Sequence, residues 1–568
     1  MIRMIPYFMV LVVLAGGAWW VVSTSRQEHQ RITATTVQES PGSRTYFIDQ
    51  QSGDDGNPGT AEASPWKTLA PVRRATLKPG DQVLLRRGQE WRESLELRSS
   101  GTAESPIVVG TYGDGAPPAL RGSDIFNTPS DWHRDDEGRW YLSNLTHPPG
   151  MLLHDGQHGT RRTSRDELTA PWDFYFDQAR KRLYVHLDQN PAEGAAVIEI
   201  PVREFVIGPL EAEHITFREL ELGHGRNITL LAWDSDGLRV EGCHFSGSPG
   251  NHIQFQQGSN DGVVVDSTFD DWNLLHKRAY AIQVIAEQSG PVDIAGCTFT
   301  ASQPGGGEDH AAIMNDYNGW VRTVEHCTFL GNNGALADEG VVIWRPAATA
   351  TTVQIRDNRF SELGGTAIMI QELEHYGATP KIAVLRNRIE NVCLGDDLDK
   401  EALRARQFGA ASDVLIAYNL INGTAAGQYP HVGIGIQEAE GLTVANNLIR
   451  GVDSGILVKQ AVSGLVLRNN LLVENRGWGL EFTASSTGVD SDYNGYFRNA
   501  GGDVAGLVPE AHSVYADPRL SEALGLTSGS PLIDAGMPLS ELHHDLAMQA
   551  VPQGAAPDIG VLEFVPTP

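Results

Sequence analysis

The sequence predicts an all-β solenoid of stacked parallel coils. Nine segments repeat one pattern of alternating apolar residues, a polar turn residue and a large apolar residue: "GLRVEGCHF", "GVVVDSTF", "PVDIAGCTF", "VRTVEHCTF", "TVQIRDNRF", "KIAVLRNRI", "DVLIAYNLI", "GLTVANNLI" and "GLVLRNNLL". Between them lie second apolar strands such as "NHIQFQQ", "AIQVIAE", "TAIMIQ" and "GILVKQ". The composition agrees: 61 glycines and only 20 % charged residues suit a turn-rich β protein.

Aligning the repeats places Cys243, Ser267, Cys297, Cys327, Asn358, Asn387, Asn419, Asn447 and Asn470 at one position. Two residues on stand Phe245, Phe269, Phe299, Phe329, Phe360, Ile389, Ile421, Ile449 and Leu472. The repeat length runs from 23 residues (Asn447 to Asn470) to 32 (Asn387 to Asn419). A unit of short strands cannot bury its apolar face alone, but stacked units can. Equivalent residues then lie about 4.8 Å apart. The Phe/Ile file becomes an internal stack. The Asn file marks a tight turn, because Asn tolerates the left-handed conformation and can hydrogen-bond along a ladder. The ladder cysteines read as buried fillers and free thiols.

These segments resemble the right-handed parallel β-helix superfamily, the pectate-lyase-like proteins. The resemblance extends upstream to "TYFIDQQSGDDGNPGTAEASPWKTL", "KPGDQVLLRRGQEWRESLEL" and "SGTAESPIVVGTYGDGAPPALRG", which are similar to that superfamily's entry of strand, Asp/Gly-rich turn, capping helix and first coils. It covers residues 46–122 and roughly 205–497.

The elements follow in order. Residues 1–25 carry Arg3 and then an uncharged stretch from Met4 to Ser25, about long enough to cross a bilayer. We read it as an uncleaved anchor that leaves the body exported into the periplasm, with a cleaved signal as the alternative. Residues 26–44 form a polar tether and 45–122 the N-terminal cap and first coils. Residues 123–204 break the pattern; "GRWYLSNL", "WDFYFDQARKRLYVHL" and "AVIEIP" predict an inserted β-rich subdomain. The main helix occupies 205–497, and 498–568, with "DPRLSEALGLTSGSPLIDAG", resembles the cap that shields a last coil from edge pairing. Within the helix, "LGDDLDKEALRARQ" (394–407) reads as a departure with helical character, a lid or a solvated loop.

The 71 acidic residues against 43 basic give a net charge of −28. Such a surface repels nucleic acid and anionic lipid. It does not exclude an anionic sugar polymer in a local basic cleft.

The candidate site lies at "GGGEDHAAI" (305–313). Matching "AYAIQV", "HAAIMN" and "GVVIWR" aligns Lys277 with Glu308 and Asp338, and Arg278 with Asp309 and Glu339. His276, His310 and Tyr280 stand beside them, with Arg226 and Asn251 on earlier rungs and His431 on a later one. Carboxylates one rung apart raise each other's pKa. That separation suits glycoside hydrolysis with retention. The predicted catalytic residues are therefore Glu308, Asp309, His310, Asp338 and Glu339. Arg226, Lys277, Arg278, Tyr317, Trp344 and Arg345 are the predicted substrate-binding residues, the aromatics stacking on sugar rings; Asn315, Asp316 and Trp320 belong to the same "NDYNGW" run. The alternative is a lyase or epimerase for a uronic-acid polymer, with His310, Lys277 or Arg278 as base and cations or calcium stabilising the intermediate. A third reading is a non-catalytic glycan-binding or assembly protein, with the stacked charges serving as inter-rung salt bridges. Lys459 and Glu438 lie several rungs beyond the cluster. The sequence lacks a "DPHD"-like run of mannuronan epimerases, the Asp, Asp-Asp, His-Gly, Arg-x-Lys set of polygalacturonases and any calcium pectate lyase signature. The resemblance therefore supplies a scaffold and a polysaccharide expectation without catalytic residues.

Overall fold

The computed structural model describes residues 42–193, 197–272, 278–286, 288–300, 310–331, 338–394, 401–423, 431–506 and 510–565. Three long parallel sheets run the length of the chain, with fourteen, fourteen and thirteen strands. The chain visits them in turn. Arg239–Glu241 belongs to the first sheet, His244–Ser246 to the second and Asn251–Gln256 to the third, and the path returns to the first at Gly262–Val265. The expected anchor at Met4–Ser25 lies outside the described residues. Among those described, no helix is long and apolar enough to cross a membrane.

The aligned phenylalanines form the predicted internal stack. Ring centroids are 4.9 Å apart for Phe245–Phe269 and Phe269–Phe299, 4.8 Å for Phe299–Phe329 and 4.5 Å for Phe329–Phe360. The asparagine ladder is also present. Each amide donates to the next side-chain oxygen: Asn358 to Asn387 at 3.0 Å, Asn387 to Asn419 at 2.9 Å, Asn419 to Asn447 at 3.0 Å and Asn447 to Asn470 at 3.0 Å. The left-handed conformation falls one residue earlier than the sequence reading placed it. Asp357, Arg386, Tyr418, Asn446 and Asn469 carry φ between 53° and 59°. That residue makes the corner, and the asparagine after it turns inward, where buried amides must find partners. The four cysteines are buried and free, and burial pushes the Cys243 thiol up to about 12.

Residues 123–201 fold into two small sheets around Trp132, Leu142, Phe174, Leu183, Ile198 and Ile200. Their junction with the helix is a partly buried polar knot. Glu199 accepts from Arg92 and Ser123, both at 2.7 Å, and lies 3.0 Å from His224 Nδ1. Burial opposes ionisation of Glu199, but these hydrogen bonds outweigh it and hold its pKa well below the usual carboxylate range. At the other end, Leu532, Leu546, Ile559 and Val561 pack along the flank against Leu420, Leu448 and Leu471.

The stretch 394–407 departs from expectation. Glu401–Phe408 is a strand of the third sheet, paired on both sides. Its composition favours helix, yet Leu403 and Ala405 alternate with Arg404 and Arg406, and the ladder decides the outcome.

Candidate functional site

The three corners of each coil differ. From Ile215 onward the first-to-second corner is two residues, as at Gly242–Cys243, Asp266–Ser267 and Asn446–Asn447. At the second-to-third corner successive strands lie farther apart in sequence, as from Asp270 to Tyr280, Thr300 to His310, Leu330 to Asp338, Glu390 to Glu401 and Asn422 to Val432, and the insertion leaves from the same corner of an early coil. Loops placed on one edge of a rigid scaffold mark where function is built. The outward face of the third sheet borders that edge.

Pairing fixes the register on this face. Tyr280 stands opposite Ala311 and Ala311 opposite Glu339, while His310 is opposite Asp338. The predicted pairing of Glu308 with Asp338 and Asp309 with Glu339 is therefore corrected by two residues. Ile313 pairs with Val341, whereas the sequence alignment matched it to Ile343. A two-residue slip preserves which side chains face the core, so apolar periodicity does not distinguish the two registers. Glu308, Asp309 and Lys277 lie outside the described residues.

Extending the observed register places Thr366 and then Glu401 in the file of Glu339. Glu339 and Glu401 are thus two rungs apart, roughly 10 Å between backbones. Glu401 is 3 % exposed and forms an ion pair with Arg404, itself 6 % exposed. Lys459 Nζ reaches the other carboxylate oxygen at 2.8 Å. Space for that carboxylate comes from Gly435, where an added Cβ would sit 2.2 Å from Glu401 Oε1. Farther along, Ser454 donates to Glu481 at 2.5 Å, and His431 Nδ1 lies 2.5 Å from Asp453, which also accepts from Arg476 at 2.9 Å. A buried carboxylate held by two cations is costly to desolvate and is a weak stabiliser. Such clusters concentrate at functional sites.

Three predicted binding residues come together at the far end of the same strands. Tyr317 and Trp344 have ring centroids 5.5 Å apart. The Arg345 guanidinium lies 4.5 Å from the Trp344 centroid and 5.8 Å from that of Tyr317, and pairs with Glu372 at 2.6 Å. The Trp344 indole N–H has no acceptor among the described residues. Next to Glu372 opens a cleft of about 600 Å³, with Phe408, Ala439 and Val462 lining it beside Glu374, Glu438 and Glu440. Trp344 lies five residues from Glu339, roughly 17 Å along the strand.

The remaining predictions fare differently. Arg226 is engaged by Glu204 beside the insertion, and burial pulls its pKa down. Arg278 is exposed, with φ 38° just before the Tyr280–Ile285 strand. Asn315 is fully buried and structural, accepting from the Val321 N–H at 2.8 Å, and the Trp320 indole donates to Thr352 O at 2.8 Å. Lys459, set aside as too distant, is a central contact because its long stem spans two rungs. Sequence reasoning missed Glu401 and Arg404. The alternation in "LRAR" and the need for one third-sheet strand between Ile389 and Ile421 were the available signals.

A family model described as a right handed beta helix region matches residues 339–506. Among curated proteins, the chain is 38 % identical over 109 residues to a lacto-N-biosidase of Bifidobacterium longum subsp. longum, covering 18 % of this chain and 6 % of that protein. It is 37 % identical over 71 residues to an alpha-1,3-galactosidase A of Akkermansia muciniphila, covering 12 % of each. The matches thus span only a small part of those relatives' length. Similar solved structures include XylC with xylose (14 % identity, TM-score 0.43, covering 92 % of this chain and 98 % of that one) and pectate lyase Pel9A (12 %, 0.33, 93 % and 97 %). Its three continuous parallel sheets and the matched coils together make the chain a right-handed parallel β-helix protein.

Proposed function

We propose that the chain is an exported, membrane-anchored carbohydrate-active enzyme that cleaves glycosidic bonds of an envelope or extracellular polysaccharide. The observation that carries this reading is the file of Glu339, Thr366 and Glu401 on the outward face of the third sheet, with Glu401 fixed by Lys459 and Arg404. Two rungs leave room for a water between carboxyl groups. This changes the expected outcome from retention to inversion, for which separations of about 6.5–9.5 Å are usual. In this scheme Glu401, held in place by its two cations, activates the water, and Glu339 protonates the leaving oxygen. His310 and Asp338 share an adjacent register position, and the Tyr317–Trp344 pair supplies a stacking surface for a sugar farther along the bound chain. The lacto-N-biosidase and the galactosidase that the chain partly resembles support a glycan substrate.

The test is incubation with neutral and uronic polysaccharides, with and without calcium, reading reducing ends and the ultraviolet absorbance of unsaturated products together. New reducing ends of inverted configuration, lost in Glu401→Gln and Glu339→Gln, support the hydrolase. The unsaturated chromophore supports the lyase instead. Full activity in both variants refutes the assigned residues. Protease protection of the body in intact cells, lost on opening the outer membrane, tests the location.

A further inference from the structure

Among the described residues the cations on the third sheet's face are already engaged, and the geometry points to a substrate without anionic groups: a neutral or amino-bearing glycan. This rests on the reading of that face as the glycan site. Arg404 and Lys459 both hold Glu401, Arg345 holds Glu372, and Arg406 donates to Gln371 at 2.7 Å. His431 and Arg476 share Asp453, and Arg226 is tied to Glu204.

A uronate, sulfate or phosphate entering the face must exchange its hydration for a cation. Recruiting Arg404 or Lys459 strips one partner from a carboxylate that is 3 % exposed, which is strongly destabilising. Recruiting Arg345 releases Glu372 into a cleft that already holds Glu374, Glu438 and Glu440. Hydroxyl and ammonium groups meet no such obstacle. They donate to carboxylates, and the cleft carries three of these in Glu374, Glu438 and Glu440. The net charge of −28 acts in the same sense at longer range. A lyase for uronic-acid polymers needs the opposite arrangement, with cations placed to neutralise the substrate carboxyl.

The test uses purified full-length chain and matched polymers that differ only in charge. Polygalacturonate, polymannuronate and polyglucuronate are each compared with their carboxyl-reduced forms, alongside a β-1,4-glucosamine polymer and its N-acetylated form. Binding is followed by affinity electrophoresis. The expected result is retardation by one or more uncharged or amino-bearing members, with every uronate at least about tenfold weaker than its reduced partner. A uronate that binds as well as or better than its reduced form overturns this inference while leaving the glycan reading intact. Silence from every polymer sinks the glycan reading and the inference with it. A second variant isolates the cause. Glu438→Lys with Glu440→Lys is expected to narrow the uronate penalty about tenfold, and an unchanged ratio overturns the electrostatic explanation.

Discussion

Replacing Gly435 by alanine tests whether the position of Glu401 matters. The new Cβ would stand 2.2 Å from Glu401 Oε1 and 2.4 Å from its Cδ. Carbon and oxygen do not approach that closely, so the carboxylate must retreat by about 1 Å, and misplacement of that size costs about 100-fold in turnover. The retreat also breaks the 2.8 Å contact with Lys459. Stability should also fall, by about 2–4 kcal/mol: leaving a buried carboxylate short of one cation costs about 3–5 kcal/mol, and the better strand propensity of alanine over glycine returns about 0.5–1 kcal/mol of it. The assay is kcat on the substrate found in the polysaccharide screen, with denaturant unfolding run in parallel. A large loss of turnover is expected in a chain that is less stable but still folded at the assay temperature. Unchanged turnover, with a crystal structure of the variant showing the carboxylate displaced, would refute a catalytic role for Glu401.

Three further outcomes follow from the fold. Phe299→Ala removes a fully buried ring stacked at 4.9 and 4.8 Å on two others and should cost about 3–5 kcal/mol in denaturant unfolding; a loss below about 1 kcal/mol would mean the stack can collapse around the cavity. Asn419→Leu takes away both the donor to Asn447 and the acceptor of Asn387, leaving buried amides unsatisfied, for a loss of about 2–3 kcal/mol; the same measurement checks it, and a neutral result would show that the ladder is dispensable. His252, wholly buried with Nε2 2.7 Å from Asp270 O, has its pKa pulled down to about 3 by burial. The unfolded chain takes up a proton below about 6.5 while the folded chain does not, so His252 costs stability as the pH falls from there toward 3, at about 1.4 kcal/mol per pH unit. His252→Gln should flatten the unfolding free energy against pH by that slope between pH 6 and 4, and an identical slope would contradict the burial of a neutral ring.

The stacking positions were legible because each repeats with one chemistry: phenylalanine over phenylalanine, amide over amide. The register of the third sheet was not, since "HAAIMN" and "GVVIWR" keep their inward residues inward in either of two alignments. Glu401 was hidden for a different reason. "EALRARQ" is made of good helix formers, and only the demand for another strand at that point in the coil overrides them. Tyr317, Trp344 and Arg345 were found together because they end adjacent strands at equivalent positions, whereas the reach of Lys459 across two rungs is a property of a long side chain that strand spacing does not express.

The constant two-residue corner of the coils from Ile215 onward has a consequence for how such a site can change. Distances along a file come in steps of about 4.8 Å, so carboxylates on neighbouring coils fall near the spacing of a covalent intermediate and those on alternate coils near the spacing that admits water. Excising one coil, for example the 23 residues from Asn447 to Asn469, rejoins equivalent surroundings and brings Glu481 one step closer to Glu401. Gain or loss of a single coil is therefore a gear change, able to alter stereochemical outcome while also exchanging the contacts that the coil itself supplies, here those of Lys459 with Glu401 and of Asp453 with His431.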